Sequence, residues 1–293
     1  MYYYISELQL FQLVPEKIMI KFAVIGDPIA HSLSPLMHNA ALNALKINGS
    51  YEAVHVPLAE LKNFTDYARE NLAGFNITVP HKKNIIPLLD HVSDHALFAD
   101  SVNTVTVRDG KLFGESTDGY GLEMALKESF GLSVPGGNIT FIGCGGAAHA
   151  AAAWFAEQGA ARIAILNRSL EKAEHLAQKL KTKYPSPNAG AYSIQDPEAV
   201  KNALNGASVA IQCTSLGLKP GDPPPIPPEL LPDNICYYDT IYKRTPLYCA
   251  AEAKGLKCGA GLGMLLHQGA RSLEIWTGKP APVEVMRQAL LSR

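Results

Sequence analysis

Lys82 follows the apolar run FNITV and Pro80, and Asp118 opens the helical pattern DGYGLEMALKESF. Brought together, a lysine and an aspartate can hold substrate hydroxyls and pass a proton while a carbinol carbon is oxidised. Taken separately, each is equally a surface charge or a helix cap. Polar groups gather around both, in Asn76-x-Thr78-x-Pro80-His81-Lys82, Asn103-Thr104 and Ser116-Thr117-Asp118-Gly119. Nearer the start, His31-Ser32-Leu33-Ser34-Pro35 sets two hydroxyls two residues apart ahead of a helical pattern. That suits a small carboxylate, because a helix N-terminus offers unpaired N–H groups and the positive end of its dipole. Ser34 before Pro35 also fits an ordinary N-cap, and the two readings are compatible.

A second chemistry is written at Gly143, Gly145 and Gly146, which follow ITFI and precede AAHAAAAWFAEQG, a strong helix former. A close turn without Cβ atoms lets the backbone approach a pyrophosphate, and the next helix presents free N–H groups to it. The order is G-C-G-G-A-A rather than G-x-G-x-x-G. Ala148 takes the third glycine position, which close helix–strand packing tolerates. A glycine turn alone is only a tight corner; its strand–turn–helix context makes it a candidate dinucleotide site. An NAD site carries an acidic residue near the end of its second strand to bind the ribose. Here the segment reads Leu166-Asn167-Arg168-Ser169, without a carboxylate. Arg168 can pair with a 2′-phosphate and stack on adenine, with hydrogen bonds from Asn167 and Ser169. NADP(H) is favoured over NAD(H).

Short strands alternating with helical patterns must position these groups, the signature of an α/β protein. Strands are predicted over 21–26, 51–57 and 75–79, with helices over 36–46 and 58–71. Short helices follow over 82–98, and SVNTVTVRDGKLFG reads as two strands joined by an Asp-Gly turn. A helix over 118–130 leads to a Gly/Pro break at 131–137, where the domain junction is placed. NITFIGCGG then begins a new unit with strands over 161–166, 208–213 and 235–240 and a helix over 171–183, as in a small doubly wound sheet. The proline-rich stretch 218–232 is neither helix nor central strand, since proline lacks the donor and fixes φ. A rigid surface loop accounts for it more simply than a docking site for a Pro-binding module. Two tail helices, GMLLHQGARSLEIWTG and APVEVMRQALL, are expected to pack back on the first domain or its junction.

The chain has 293 residues, 26 basic against 27 acidic, a formal net charge of -1, and 47% hydrophobic residues. Only 18% are charged, below the roughly 25% of ordinary soluble domains. This excludes global disorder and argues against a nucleic-acid binder relying on a strong positive field, while leaving room for a local basic patch. Five cysteines, odd in number and without a C-x-x-C pair, fit a reducing cytoplasm and argue against a metal site. Residues 139–156 imitate a membrane span, but their three glycines, histidine and many alanines argue for strand, turn and buried helix. Residues 1–18, ahead of Met19, lack a secretory pattern and are expected outside the core fold.

Together GDPIAHSLSPLMHNA, GFNITVPHK, SVNTV, STDGYG, IGCGGAAHA, LNRS, YDTIY and GLGMLLHQGARSLEIWTG occur in this order, and the chain resembles the shikimate dehydrogenase family over residues 21–292. The resemblance implies an N-terminal α/β substrate domain and a Rossmann-like NADP-binding domain, with the active site in the cleft between them. The expected boundaries are an extension over 1–20, a substrate domain over 21–118, and a junction over 119–135. An NADP domain over 136–258 and returning C-terminal helices over 259–293 complete the layout. It implies reversible, NADP-dependent reduction of 3-dehydroshikimate to shikimate, in the aromatic amino-acid pathway. Ser32 and Ser34 match carboxylate-binding serines, assisted by Tyr242; Thr78, Asn103 and Gln268 match residues around the ring and its hydroxyls. Lys82 matches the principal catalytic lysine and Asp118 its hydrogen-bonding partner. Gly143, Gly145, Gly146 and Ala147 match the pyrophosphate loop, and Asn167, Arg168 and Ser169 the NADP-recognising N-R-T. Thr214, Ser215, Leu216, Ile241, Gly261 and Met264 fall in segments near the nicotinamide.

The chain departs from the commonest pattern in places. Cys144 stands for Ala, His149 for Arg, Ser169 for Thr, and Lys243-Arg244 for Asn-Pro. Gln212-Cys213 opens a segment usually of N-A-T-S type, so these two side chains bear on the packing behind the nicotinamide. No metal is implied, because a lysine and hydrogen bonds can handle the developing oxygen charge. The partner is a small molecule, not nucleic acid or membrane, and a monomer and a homodimer are both compatible with the sequence. Two alternatives stay open: a quinate/shikimate dehydrogenase of broader substrate or NAD use, and a non-catalytic sensor on the same fold.

Overall fold

The computed structural model describes residues 19–292. Up to residue 18, the predicted extension lies outside the described residues, and Ile20, assigned to that extension, already belongs to the first strand. In chain order the elements are β1 (Ile20–Gly26), α1 (Ser34–Ala44), β2 (Gly49–His55), α2 (Leu61–Asn71), β3 (Gly74–Ile77), α3 (His81–Asn84), β4 (His91–Val92), α4 (Asp94–Ala99), β5 (Thr104–Arg108) and β6 (Lys111–Glu115). There follow α5 (Asp118–Phe130), β7 (Asn138–Ile142), α6 (Gly146–Glu157), β8 (Arg162–Asn167), α7 (Leu170–Lys183), β9 (Asn188–Ser193), α8 (Pro197–Leu204) and β10 (Val209–Gln212). The chain ends with β11 (Cys236–Asp239), α9 (Pro246–Ala253), β12 (Cys258–Ala260), α10 (Leu262–Thr277) and α11 (Val283–Leu291). Two compact units result. Among the described residues the first holds 19–97, Val102–Thr117 and 269–292; the second holds Phe98–Ser101 and Asp118–Gln268. The helix expected in a separate junction therefore belongs to the second unit, and the tail divides between Gln268 and Gly269, inside α10.

The first unit is built on a mixed sheet of order β2-β1-β3-β5-β6-β4. β1 pairs in parallel with β2 and β3, whereas β3, β5 and β6 run antiparallel. β5 and β6 are joined by Asp109 (φ 51°) and Gly110 (φ 71°), both left-handed as a type I′ hairpin turn requires. One sheet face buries Ala23, Ile25, Phe75, Ile77 and Val105 against Leu61, Phe64 and Ala68 of α2. On the other face the Trp276 ring of α10 stacks on Phe22 at 4.8 Å, and its Nε1 donates to the Val105 carbonyl at 3.0 Å. α1 packs against α11. The tail thus closes the face that the β-α-β segments leave open.

The second unit is a wholly parallel sheet of order β12-β11-β10-β7-β8-β9, the doubly wound order with its reversal between β7 and β10. Alternate residues face opposite layers. Ile139, Phe141, Ile163, Ile165, Val209 and Ile211 pack with α5, α6 and α7. Ile142, Ala164, Leu166, Ala210 and Tyr237 pack with α8 and α9. Burial on both faces explains why these strands read as continuous apolar runs. Among the described residues no helix is long and apolar enough to cross a membrane; residues 139–156 form β7, its turn and α6.

Candidate active site

In the first unit a buried hydrogen-bond network surrounds the predicted site residue Asn103. Ser34 is the first residue of α1 rather than its cap. Its backbone N–H points to Ser32 Oγ at 3.4 Å, and its side chain lies near the Tyr51 hydroxyl. Tyr51 donates to Asn76 Oδ1 at 2.7 Å. This fixes the Asn76 amide, whose Nδ2 faces the Asn103 carbonyl (2.9 Å), Thr104 Oγ1 (3.1 Å) and Ser272 Oγ (3.0 Å). Asn103 in turn accepts the Thr117 N–H at 2.8 Å and donates to Thr117 Oγ1 at 2.9 Å. Burial holds the Tyr51 phenol well above its usual range, so it acts here as a neutral donor and acceptor. Beneath it lies His38, stacked on the phenol ring at 4.2 Å with neither ring nitrogen hydrogen-bonded. Burial lowers the His38 pKa to about 3.

Lys82 sits in α3, and its backbone is gripped on several sides. The Val102 N–H donates to the Lys82 carbonyl at 2.9 Å, and the neighbouring His81 N–H donates to the Thr78 carbonyl at 2.9 Å. The fully buried His81 ring approaches the Val56 carbonyl through Nε2 at 2.6 Å. Thr78, half-buried just past β3, hydrogen-bonds through its N–H to Ile25. Asp118 is buried as the first residue of α5, directly after the Thr117 that Asn103 holds.

In the second unit Gly143 has φ +106° and donates its N–H to Leu166 at 2.7 Å. A Cβ there would strike Thr214, so the turn requires glycine for conformation and for space. Gly145 caps α6 and Gly146 is its first residue. Both are exposed; a Cβ on Gly146 would meet nothing within 4 Å, and one on Gly145 only the Cys213 carbonyl at 3.8 Å. An open backbone at the start of a twelve-residue helix fits a pyrophosphate. Ala147 lies in its first turn, and Ala148 is fully buried in the α6 core. Asn167 ends β8 and donates to the Ser169 carbonyl at 2.9 Å, leaving Arg168 exposed between them and Ser169 as the residue capping α7. The departures Cys144 and His149 meet each other, Sγ to Nε2 at 3.4 Å. Burial pushes the Cys144 thiol up to about 11, which makes it a poor nucleophile at neutral pH.

Thr214, Ser215 and Leu216 form the loop after β10, and Ile241 and Tyr242 the loop after β11, Tyr242 being 44% exposed. Gly261 donates to the Ile241 carbonyl at 3.2 Å, and Met264 N–H to the Tyr238 hydroxyl at 3.0 Å. Gln268 lies further along α10, its amide donating to the Leu265 carbonyl at 2.9 Å. Of the substituted pair Lys243-Arg244, Arg244 pairs with Glu252 and lies over the Tyr248 ring.

Models of known families match three parts of the chain. A shikimate dehydrogenase substrate binding domain matches residues 24–105, a shikimate / quinate 5-dehydrogenase residues 124–216, and a shikimate 5'-dehydrogenase C-terminal domain residues 261–291. A shikimate dehydrogenase (NADP(+)) from Symbiobacterium thermophilum is 40% identical over 275 residues, covering 92% of each chain. The chain belongs to the shikimate dehydrogenase family. Two solved family structures agree. A shikimate 5-dehydrogenase from Listeria monocytogenes in complex with shikimate and NAD aligns at TM-score 0.86 and 35% identity, over 94% of this chain and 99% of that one. The shikimate 5-dehydrogenase from Thermus thermophilus in complex with NADP(H) and shikimate aligns at 0.82 and 35%, over the same shares. As a family member the chain is an oxidoreductase with a small-molecule substrate. The sequence reading missed Tyr51, Ser272 and Asp239 as members of its polar frameworks. Nothing in the local pattern around any of them names its partner, which only pairing across the fold reveals.

Proposed function

We propose that the chain is an NADP-dependent shikimate dehydrogenase that reversibly reduces 3-dehydroshikimate to shikimate. The observation that carries this reading is the buried network running from Tyr51, beside Ser34, through Asn76 to Asn103. Such a framework suits an acid with ring hydroxyls, with Ser34 meeting the carboxylate and the Asn103 amide a hydroxyl. Ser32, Ser34 and Tyr242 hold the carboxylate; Thr78, Asn103 and Gln268 read the ring and its hydroxyls. Lys82 takes the hydroxyl proton during oxidation and returns one to the developing alkoxide during reduction, where its positive charge also stabilises the oxygen. Asp118 binds the ring hydroxyl and orients Lys82.

Gly143, Gly145, Gly146 and Ala147 would hold the pyrophosphate, and Asn167, Arg168 and Ser169 the 2′-phosphorylated adenosine. Thr214, Ser215, Leu216, Ile241, Gly261 and Met264 would line the nicotinamide. When bound, NADP(H) supplies or accepts the hydride at the substrate carbon. The exposed Arg168, where an NAD site carries a carboxylate, supports NADP over NAD.

Shikimate and quinate crossed with NADP+ and NAD+ test the reading, followed by the absorbance of the reduced cofactor. Turnover should be fastest with shikimate and NADP+. Activity confined to quinate with NAD+ would overturn it in favour of the broader relative, and no turnover with any pair would favour a sensor.

A further inference from the structure

Adjacent parallel strands β10 and β11 both end on fully buried polar side chains, Gln212 and Asp239, which stand opposite one another in the register. A buried amide or carboxylate is costly unless its hydrogen bonds are made. Here they are made, largely to the loops beyond the strands. Gln212 Oε1 accepts from Thr214 N–H at 2.9 Å and from Thr214 Oγ1 at 2.8 Å, while its Nε2 donates to the Leu216 carbonyl at 2.9 Å. Thr214 Oγ1 in turn accepts the Leu216 N–H at 3.1 Å. Asp239 accepts from Ile241 N–H at 2.9 Å, from Thr245 Oγ1 at 2.6 Å and from the Tyr237 hydroxyl at 3.1 Å. The Gln212 carbonyl links the two loops by accepting from Thr240 N–H at 3.0 Å and Thr240 Oγ1 at 2.8 Å.

One side chain therefore shapes the whole Thr214–Leu216 segment from both ends. It does so at the carboxyl edge of a parallel sheet, where α/β folds place their ligands. We propose that Gln212 is the positioning residue that fixes this loop for the nicotinamide end of the dinucleotide. The proposal rests on the cofactor reading above. It separates the two ends of the ligand, because the Gln212 amide bonds neither the β8–α7 segment carrying Arg168 nor the exposed Gly145-Gly146 backbone.

Calorimetric titration of the native chain, Gln212→Met and Gln212→Glu with NADP+ and with 2′-phospho-ADP-ribose, which lacks only the nicotinamide, tests it. The native chain should prefer NADP+. Gln212→Met keeps the side-chain length and loses all three bonds; it should lose about tenfold of that preference, the scale of one hydrogen bond. Its affinity for the truncated ligand should stay within about twofold. Gln212→Glu can still accept from Thr214 but cannot donate to Leu216, and should fall between; it carries the same comparison if Gln212→Met does not fold. Parallel weakening of both ligands would show a merely structural role and overturn the proposal. So would an unchanged preference in the variants, or a native chain without one. A native chain that binds neither ligand would instead defeat the cofactor reading, and the proposal with it.

Discussion

The polar groups of the first unit are side chains bonded to side chains: Tyr51, Asn76, Asn103, Thr104, Thr117 and Ser272 form one buried network. In the second unit the glycine turn offers backbone, with Gly145 and Gly146 exposed and Gly146 facing open space. If the proposed function holds, one region recognises through residue identity and the other through chain conformation. They should therefore fail differently. A side-chain deletion in the first strands buried partners, whereas a side chain added to the second blocks an approach without disturbing the core.

The largest effect is expected at Lys82. Lys82→Ala should lower kcat by roughly 10²–10⁴-fold, the usual worth of a positioned acid–base group, with a small change in KM for shikimate. Steady-state kinetics showing a raised KM and an intact kcat would assign Lys82 to binding alone.

Ser272→Ala comes next. It removes one partner from Asn76 and one from Thr104, so denaturant unfolding should show a loss of about 1–3 kcal/mol. An unchanged midpoint would mean that the network does not brace the first unit.

Acid should also act on the first unit through His38. Folded, its pKa is about 3; unfolded, it titrates near 6.5. Between these values the unfolded chain binds the proton and the folded chain does not, so stability falls as pH falls from about 6.5 toward 3. The slope approaches about 1.4 kcal/mol per pH unit. His38→Phe keeps the ring stack and should flatten that part of the pH–stability curve; an identical slope would refute the assignment.

The smallest stability effect is predicted for Gly146→Ala in the second unit. Alanine at a helix start with open space around its Cβ should leave stability unchanged or raise it by up to about 1 kcal/mol. NADP+ binding, read by titration, should nevertheless weaken. Equal affinity would remove Gly146 from the pyrophosphate site.

Much of this is legible in the letters. Gly143 within strand–turn–helix context, the Asp109-Gly110 hairpin and the helix from Asp118 all follow from local rules. Ser34 reads as a cap, but α1 begins with it and Leu33 takes the cap position, which local capping rules do not foresee. β9, with the weak pattern NAGAYS, and the three-residue β12 escape a sequence reading because neighbouring strands, not local periodicity, make them strands. Gln212 stands out only as a departure expected to affect packing. Its role as a clasp depends on Thr214 and Leu216 folding back over it, which no spacing rule expresses.

The central claim is a division of labour: the first unit reads the acid and the second reads the dinucleotide. Initial rates over a grid of shikimate and NADP+ concentrations test it most directly, on Ser34→Ala beside Arg168→Ala. Ser34→Ala should raise KM for shikimate about tenfold, the scale of a hydrogen bond to a charged group, and leave KM for NADP+ alone. Arg168→Ala should do the reverse. Variants that raise both constants together, or each the other's, would contradict the account.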